Sequence, residues 1–212
     1  MGDVPGPPRS YPEARSVWGV DPEPFEVRRD GVTVRGELAG QGPPVVLLHG
    51  LSATRRNVVQ GSRALVKRGY RLISYDARGH GQSSPAPSYE YSDLVADLEA
   101  VLADLDIERA ALVGSSMGAA TAMAFTLEHP ERVPALVQIT PAYTGYARTG
   151  DADLATWEKL AAALEKGVDE FVRVAQPQGL PERWRDVARE AWLIGHTPEQ
   201  PWHTLWRLPF GK

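Results

Sequence analysis

One way to present a serine as a nucleophile is a tight turn that lifts it clear of its own backbone, and Gly114-Ser115-Ser116-Met117-Gly118 has the composition for such a turn. The G-x-S-x-G spacing fits in one register, with Ser116 central and Ser115 a bystander. An apolar run at 110–114 precedes it and a helix-forming stretch at 117–128 follows, so the serine falls at a strand-to-helix junction. Gly114 and Gly118 lack the side chains that would obstruct the turn. A helix starting beside Ser116 points unpaired backbone N–H groups at a reacting carbonyl, which makes the Met117 N–H the first candidate oxyanion donor. The second is the Leu51 N–H, where Leu48-His49-Gly50-Leu51 turns the chain back after a buried strand; His49 and Gly50 are read as supports of that loop. The chemistry such a set serves is acyl transfer, in which Ser116 attacks an acyl carbon while the two N–H groups hold the oxyanion. The plain alternative for Ser116 is a helix N-cap.

These residues need a scaffold, and the pattern of apolar residues describes one. Residues 25–29 and 32–38 flank Asp30-Gly31, a tight hairpin signal. Val45-Val46-Leu47-Leu48 is a continuous apolar run, as in a strand buried on both faces. A helix is expected over 54–68, ended by Gly69, then a strand over 71–75. Leu94, Val95, Leu98, Val101, Leu102 and Leu105 form one stripe of a helix over 92–105, with Ser92 or Asp93 as its cap. A strand over 133–140 follows the helix at 117–128. This alternation predicts an α/β fold: a mostly parallel sheet opened by an antiparallel N-terminal hairpin, with helices on both faces. Beyond residue 140 only helical patterns appear. The expected organisation is a proline-rich arm over 1–24, a core over 25–145 and a helical cap segment over 146–212.

Composition narrows the function classes. With 42% hydrophobic and 24% charged residues the chain is a globular domain, and a net charge of −4 without a basic run gives no reason to expect nucleic acid. No cysteine is present, which removes thiolate metal sites and cysteine nucleophiles and agrees with a cytoplasmic location. No apolar run is long enough for a membrane span. The remaining Asp, Glu and His show no metal-ligand spacing, and no dinucleotide fingerprint surrounds Gly79-His80-Gly81, so neither a metal nor another cofactor is expected. Asp151 and Asp153 suit the N-terminus of a helix beginning near Leu154 better than a catalytic role. The six tryptophans, four of them Trp184, Trp192, Trp202 and Trp206, could line an apolar substrate pocket or pack the cap, and packing is the default reading.

Taken in order, Leu48-His49-Gly50, Asp76-Ala77-Arg78-Gly79-His80-Gly81-Gln82-Ser83, Gly114 to Gly118 and His129-Pro130-Glu131-Arg132-Val133 resemble the α/β-hydrolase fold family, over about residues 25–195. The resemblance implies a serine hydrolase of an ester, lactone or similar acyl compound, with a small apolar ester-type substrate and a helical cap. It also implies a structural role for the Asp76–Ser83 loop. Acyl transfer, haloperoxidase-type activity and carbon–carbon bond hydrolysis share the same serine and stay open. The family places its catalytic acid and histidine after two later strands, and no sequence here reads as those strands. The expectation is therefore a family fold whose C-terminal strands are missing, with no acid or histidine of the triad found. His49, His80 and His129 have loop positions that the family explains, and His196 and His203 are read as surface or packing residues. A serine without a base is a poor nucleophile. The second reading is thus a non-catalytic protein that holds a small ligand between sheet and cap, or an inactive fragment.

Overall fold

The computed structural model describes residues 22–51, 53–58, 64–139 and 141, and in the C-terminal third residues 155, 158–160, 162–163 and 165–175. Two antiparallel strands open the fold, β1 (Glu23–Arg29) and β2 (Val32–Ala39), paired in register from Glu23↔Leu38 to Arg29↔Val32. Asp30 and Gly31 both take positive φ, 50° and 78°, the two-residue turn whose twist suits a hairpin. β1 begins at Glu23 and so includes Pro24, two residues earlier than the arm boundary drawn from proline content. Proline is tolerated there because, among the described residues, β1 pairs only with β2, leaving one side without a ladder to supply.

The remaining strands are β3 (Pro44–Leu48), β4 (Arg71–Asp76), β5 (Ala111–Ser115) and β6 (Leu136–Ile139), in the spatial order β1-β2-β4-β3-β5-β6. β2 meets β4 antiparallel, while β3, β4, β5 and β6 run parallel. β6 is shorter than the expected 133–140, since Val133 closes the 3-10 turn Pro130–Arg132 and Pro134 brings no N–H to a ladder. β3 and β4 sit in the sheet interior, and Val46, Leu47 and Ile73 are completely buried.

Among the described residues helix α1 is Ala64–Lys67. The expected helix over 54–68 does not start at Thr54: residues 55–58 form a turn, with the Asn57 side chain accepting from Thr54 N–H and Oγ1. Such local bonds compete with helix formation. Residues 59–63 lie outside the described residues. α2 (Tyr91–Asp104) buries Leu94, Val95, Leu98, Val101 and Leu102 of the expected stripe and also Asp97, while Leu105 falls at its C-cap and is half-buried; it starts one residue earlier than expected, so Ser92 and Asp93 lie within it rather than capping it. Asp93 instead accepts from Ser88 Oγ at 2.5 Å. α3 (Met117–Glu128) matches its expected bounds, and its small residues Ala119 and Ala122 let it lie close on the sheet with Phe125 fully buried. α4 (Val168–Ala175) buries Phe171 and Val172 within the segment read as a cap; most of 146–212, with His196 and His203, lies outside the described residues. Among the described residues no helix is long and apolar enough to cross a membrane, and no group of three His, Asp or Glu is gathered to hold a metal ion.

Candidate active site

Three backbones converge where the motif predicts the turn. β5 ends at Ser115, Ser116 stands alone, and α3 begins at Met117. A Cβ on Gly114 would lie 2.3 Å from the Gly118 carbonyl oxygen, and a Cβ on Gly118 would lie 2.2 Å from the Leu48 carbonyl oxygen. Helix α3 can therefore start against the ends of both β5 and β3 only because hydrogens occupy those positions.

Ser116 holds φ 49° and ψ −109°, a conformation that a turn normally assigns to glycine. Its N–H still donates to the Ile139 carbonyl at 3.0 Å, so the sheet bonding runs up to the serine itself. Its side chain makes no capping hydrogen bond to the helix, unlike an N-cap serine. The first intrahelical bond runs from Ala120 N–H to the Ser116 carbonyl at 3.1 Å. The Met117 N–H precedes it and has no intrahelical acceptor.

The loop after β3 faces this serine. A Cβ on Gly50 would sit 3.4 Å from the Ser116 Cβ and 3.3 Å from the Ser115 carbonyl oxygen. The Gly50 carbonyl oxygen accepts the Ala53 N–H at 3.2 Å and lies 2.7 Å from His49 Nδ1. Because the peptide is trans, fixing the Gly50 carbonyl on one side sends the Leu51 N–H to the other. The Leu51 side chain packs with Tyr91 against Ala77, Leu94 and Met117.

His49 is buried, and its Nε2 accepts the Ala77 N–H at 2.9 Å. Nε2 must then be the unprotonated nitrogen and Nδ1 the donor to Gly50. Burial pushes the His49 pKa below the usual histidine value; Arg55 acts in the same direction, and Asp76 and the Gly50 bond oppose it. Both ring nitrogens are thus engaged in holding the loop, which leaves this histidine unsuited to take a proton from Ser116. His80 is fully buried with Nδ1 2.9 Å from the Arg78 carbonyl, and its ring stands edge-on to His49 at 5.0 Å. His129 lies at the far end of α3, with its ring 4.9 Å from Phe125. None of the three described histidines is brought to Ser116.

Two buried ionic clusters brace the loop that follows β4. Arg78 makes two 2.7 Å hydrogen bonds to the Asp97 carboxylate and a 3.0 Å bond to the Ser88 carbonyl, tying the loop to α2. Asp76 accepts from the Arg55 N–H, the Arg55 guanidinium and the Gln82 N–H. Neither Asp97 nor Arg55 stands out as a site residue in the sequence. Asp97 on the apolar side of α2 was the available signal, since a carboxylate there requires a buried partner.

Comparison with known proteins places this arrangement in context. The family description "alpha/beta hydrolase fold" matches residues 43–192. The sn-1-specific diacylglycerol lipase ABHD11 of Danio rerio is 37% identical over 172 residues, which cover 80% of this chain and 54% of that protein. A putative non-heme chloroperoxidase of Synechocystis sp. is 35% identical over 117 residues, or 54% of this chain and 42% of that protein. The chain thus spans about half or less of the length of these curated relatives. Among solved structures, an esterase from Exiguobacterium antarcticum matches with a TM-score of 0.67 at 24% identity, covering 84% of this chain and 69% of that one, a likeness of fold.

Proposed function

Since this chain belongs to the α/β-hydrolase fold family, we propose that it is a serine-dependent hydrolase of carboxylic esters or similar acyl compounds, with Ser116 as nucleophile. The observation that carries this reading is the Ser116 backbone, held at φ 49° and ψ −109° with a side chain that caps nothing. Backbone conformations of this kind cost on the order of 1–3 kcal/mol and persist at functional sites.

In the proposed reaction the Ser116 Oγ attacks the acyl carbon as a general base takes its proton. The carbonyl oxygen becomes an oxyanion between the Met117 and Leu51 N–H groups, and its collapse expels the alcohol after protonation. Water then releases the acid from Ser116. The geometry supporting the two donors is the helix start at Met117 and the pinned Gly50 carbonyl. The similarity to a diacylglycerol lipase supports an acyl ester of apolar character as substrate. A cytoplasmic setting belongs to the same proposal, supported by a sequence without cysteine.

A second reading, a protein that binds a small apolar ligand without turning it over, is favoured by one observation: none of the three described histidines is placed to serve Ser116 as base. A fluorophosphonate probe with intact-mass detection separates the two. The hydrolase reading expects one adduct, mapped to Ser116 and lost in Ser116→Ala; absence of any adduct on the wild-type chain overturns it.

A further inference from the structure

We propose that Arg55 is a positioning residue for the oxyanion loop, acting through Asp76 to hold the Leu51 N–H opposite Ser116; this rests on the nucleophile reading given above. The loop after β3 is fixed at its near end by His49, whose Nδ1 and the Ala53 N–H share the Gly50 carbonyl. Its next residues close on themselves: Thr54 N–H and Oγ1 donate to Asn57 Oδ1 at 2.8 and 2.9 Å, and the Asn57 N–H donates to the Thr54 carbonyl at 2.9 Å. A turn bonded only to itself would fix its own shape and not its place on the sheet.

Arg55 supplies the place. Its N–H donates to Asp76 Oδ1 at 2.8 Å, its carbonyl accepts from Ser74 Oγ at 2.6 Å, and its guanidinium reaches Asp76 Oδ2 and, at 2.9 Å, Gln82 Oε1. Its Nε stands 3.5 Å from Glu37 Oε2. One residue thereby joins β2, the end of β4 and the loop after it to the turn that follows the donor. The Arg55 and Glu37 side chains are each 7% exposed and Asp76 is fully buried, so these charges act in a medium that strengthens them and punishes misplacement. A planar fork can serve Asp76 and Gln82 at once, which a lysine ammonium on a flexible stem cannot do with fixed direction.

The consequence is kinetic. A displaced Leu51 N–H is missed only when the oxyanion forms, so substrate affinity is spared. The test is hydrolysis of p-nitrophenyl acetate by the full chain, wild type against Arg55→Met and Arg55→Lys. Arg55→Met is expected to lower kcat toward the hundred- to thousandfold loss of a missing donor, about that range at most, with KM held and Arg55→Lys in between. An unchanged kcat, or a loss confined to KM, overturns the proposal. If Arg55→Met does not fold, Arg55→Lys alone decides it by the same split. If the wild-type chain shows no turnover, the hydrolase reading of this chain fails. Amide hydrogen exchange then decides Arg55 by itself: faster exchange at Ala53 and Asn57 with β3 and β5 protection intact upholds the positioning role, and unaltered exchange there overturns it.

Discussion

The Ala77 N–H donates to His49 Nε2, and by occupying that nitrogen it fixes on which side of the ring the proton sits. A protonated His49 would turn an N–H toward an N–H, and burial already opposes the charge. His49 is therefore folded as the neutral ring.

Acidification should expose this. The unfolded chain takes up the His49 proton near the ordinary value of 6.5, whereas the folded chain resists it to lower pH. Between those limits the unfolded state binds more protons, so the contribution is fully present above 6.5 and is lost as pH falls below it. Urea midpoints at about pH 7.5 and about pH 5.5 should drop less in His49→Gln than in the wild type, from a lower starting stability. Equal drops would remove His49 as the source.

Ser116→Gly should be more stable than the wild type. Glycine adopts φ 49° and ψ −109° without the steric cost that serine bears. A gain of about 1 kcal/mol, or roughly 2–4 °C in Tm for a chain of this size, is expected in differential scanning fluorimetry, together with loss of fluorophosphonate labelling. A lower Tm would show that the turn stores no strain.

Two glycines of the site should respond differently to the same added methyl. In Gly118→Ala the new carbon meets the Leu48 carbonyl oxygen at 2.2 Å and the His49 carbonyl oxygen at 2.7 Å, and backbone on both sides must part. Loss of about 2–3 kcal/mol is expected by denaturant titration. In Gly50→Ala the contacts at 3.3 and 3.4 Å need only a few tenths of an ångström. Stability should fall by less than about 1 kcal/mol while Ser116 labelling slows by a larger factor, because the shift lands on the loop that faces Ser116.

Asp106 ends α2 with φ 53°, closing the helix through Asp106 N–H to Ala103 and Ile107 N–H to Leu102 at 3.2 and 2.8 Å. Its side chain is exposed, so Asp106→Gly should keep both bonds and relieve the left-handed strain. A gain of about 0.5–1 kcal/mol in urea denaturation is expected; a loss would mean that the aspartate side chain stabilises this cap.

The sheet, the hairpin at Asp30-Gly31 and the register of the serine turn were legible in the sequence because each rests on a local signal: alternation, a turn dipeptide, two glycines at fixed spacing. The bounds of α3 were read correctly for the same reason. The bracing was not legible. Arg55 and Asp76 are 21 positions apart, and nothing in either neighbourhood marks them as a pair. The same contact explains why the helix expected from Thr54 does not begin there, since Arg55 gives its N–H and its carbonyl to side chains of β4. Pro24 misled in the opposite direction, because an edge strand tolerates what an interior strand forbids. Sequence spacing brings Ser116, Met117 and Leu51 together as candidates, whereas the two hydrogen bonds of the His49 ring, to Gly50 and Ala77, are not legible from spacing.

The strand order carries a consequence for how such a chain is made. β3 is the first parallel strand to be synthesised, yet it sits between β4 and β5, which come later. From the moment Val45-Val46-Leu47-Leu48 leaves the ribosome until residues 71–76 and 111–115 have followed, this apolar ribbon has neither neighbour and is open to adhesion by other nascent chains. Gly50 cannot face Ser116 before β5 docks, so the corner where they meet is completed only after residues 111–115 have been made, and the ribbon that ends in it lacks that neighbour until then.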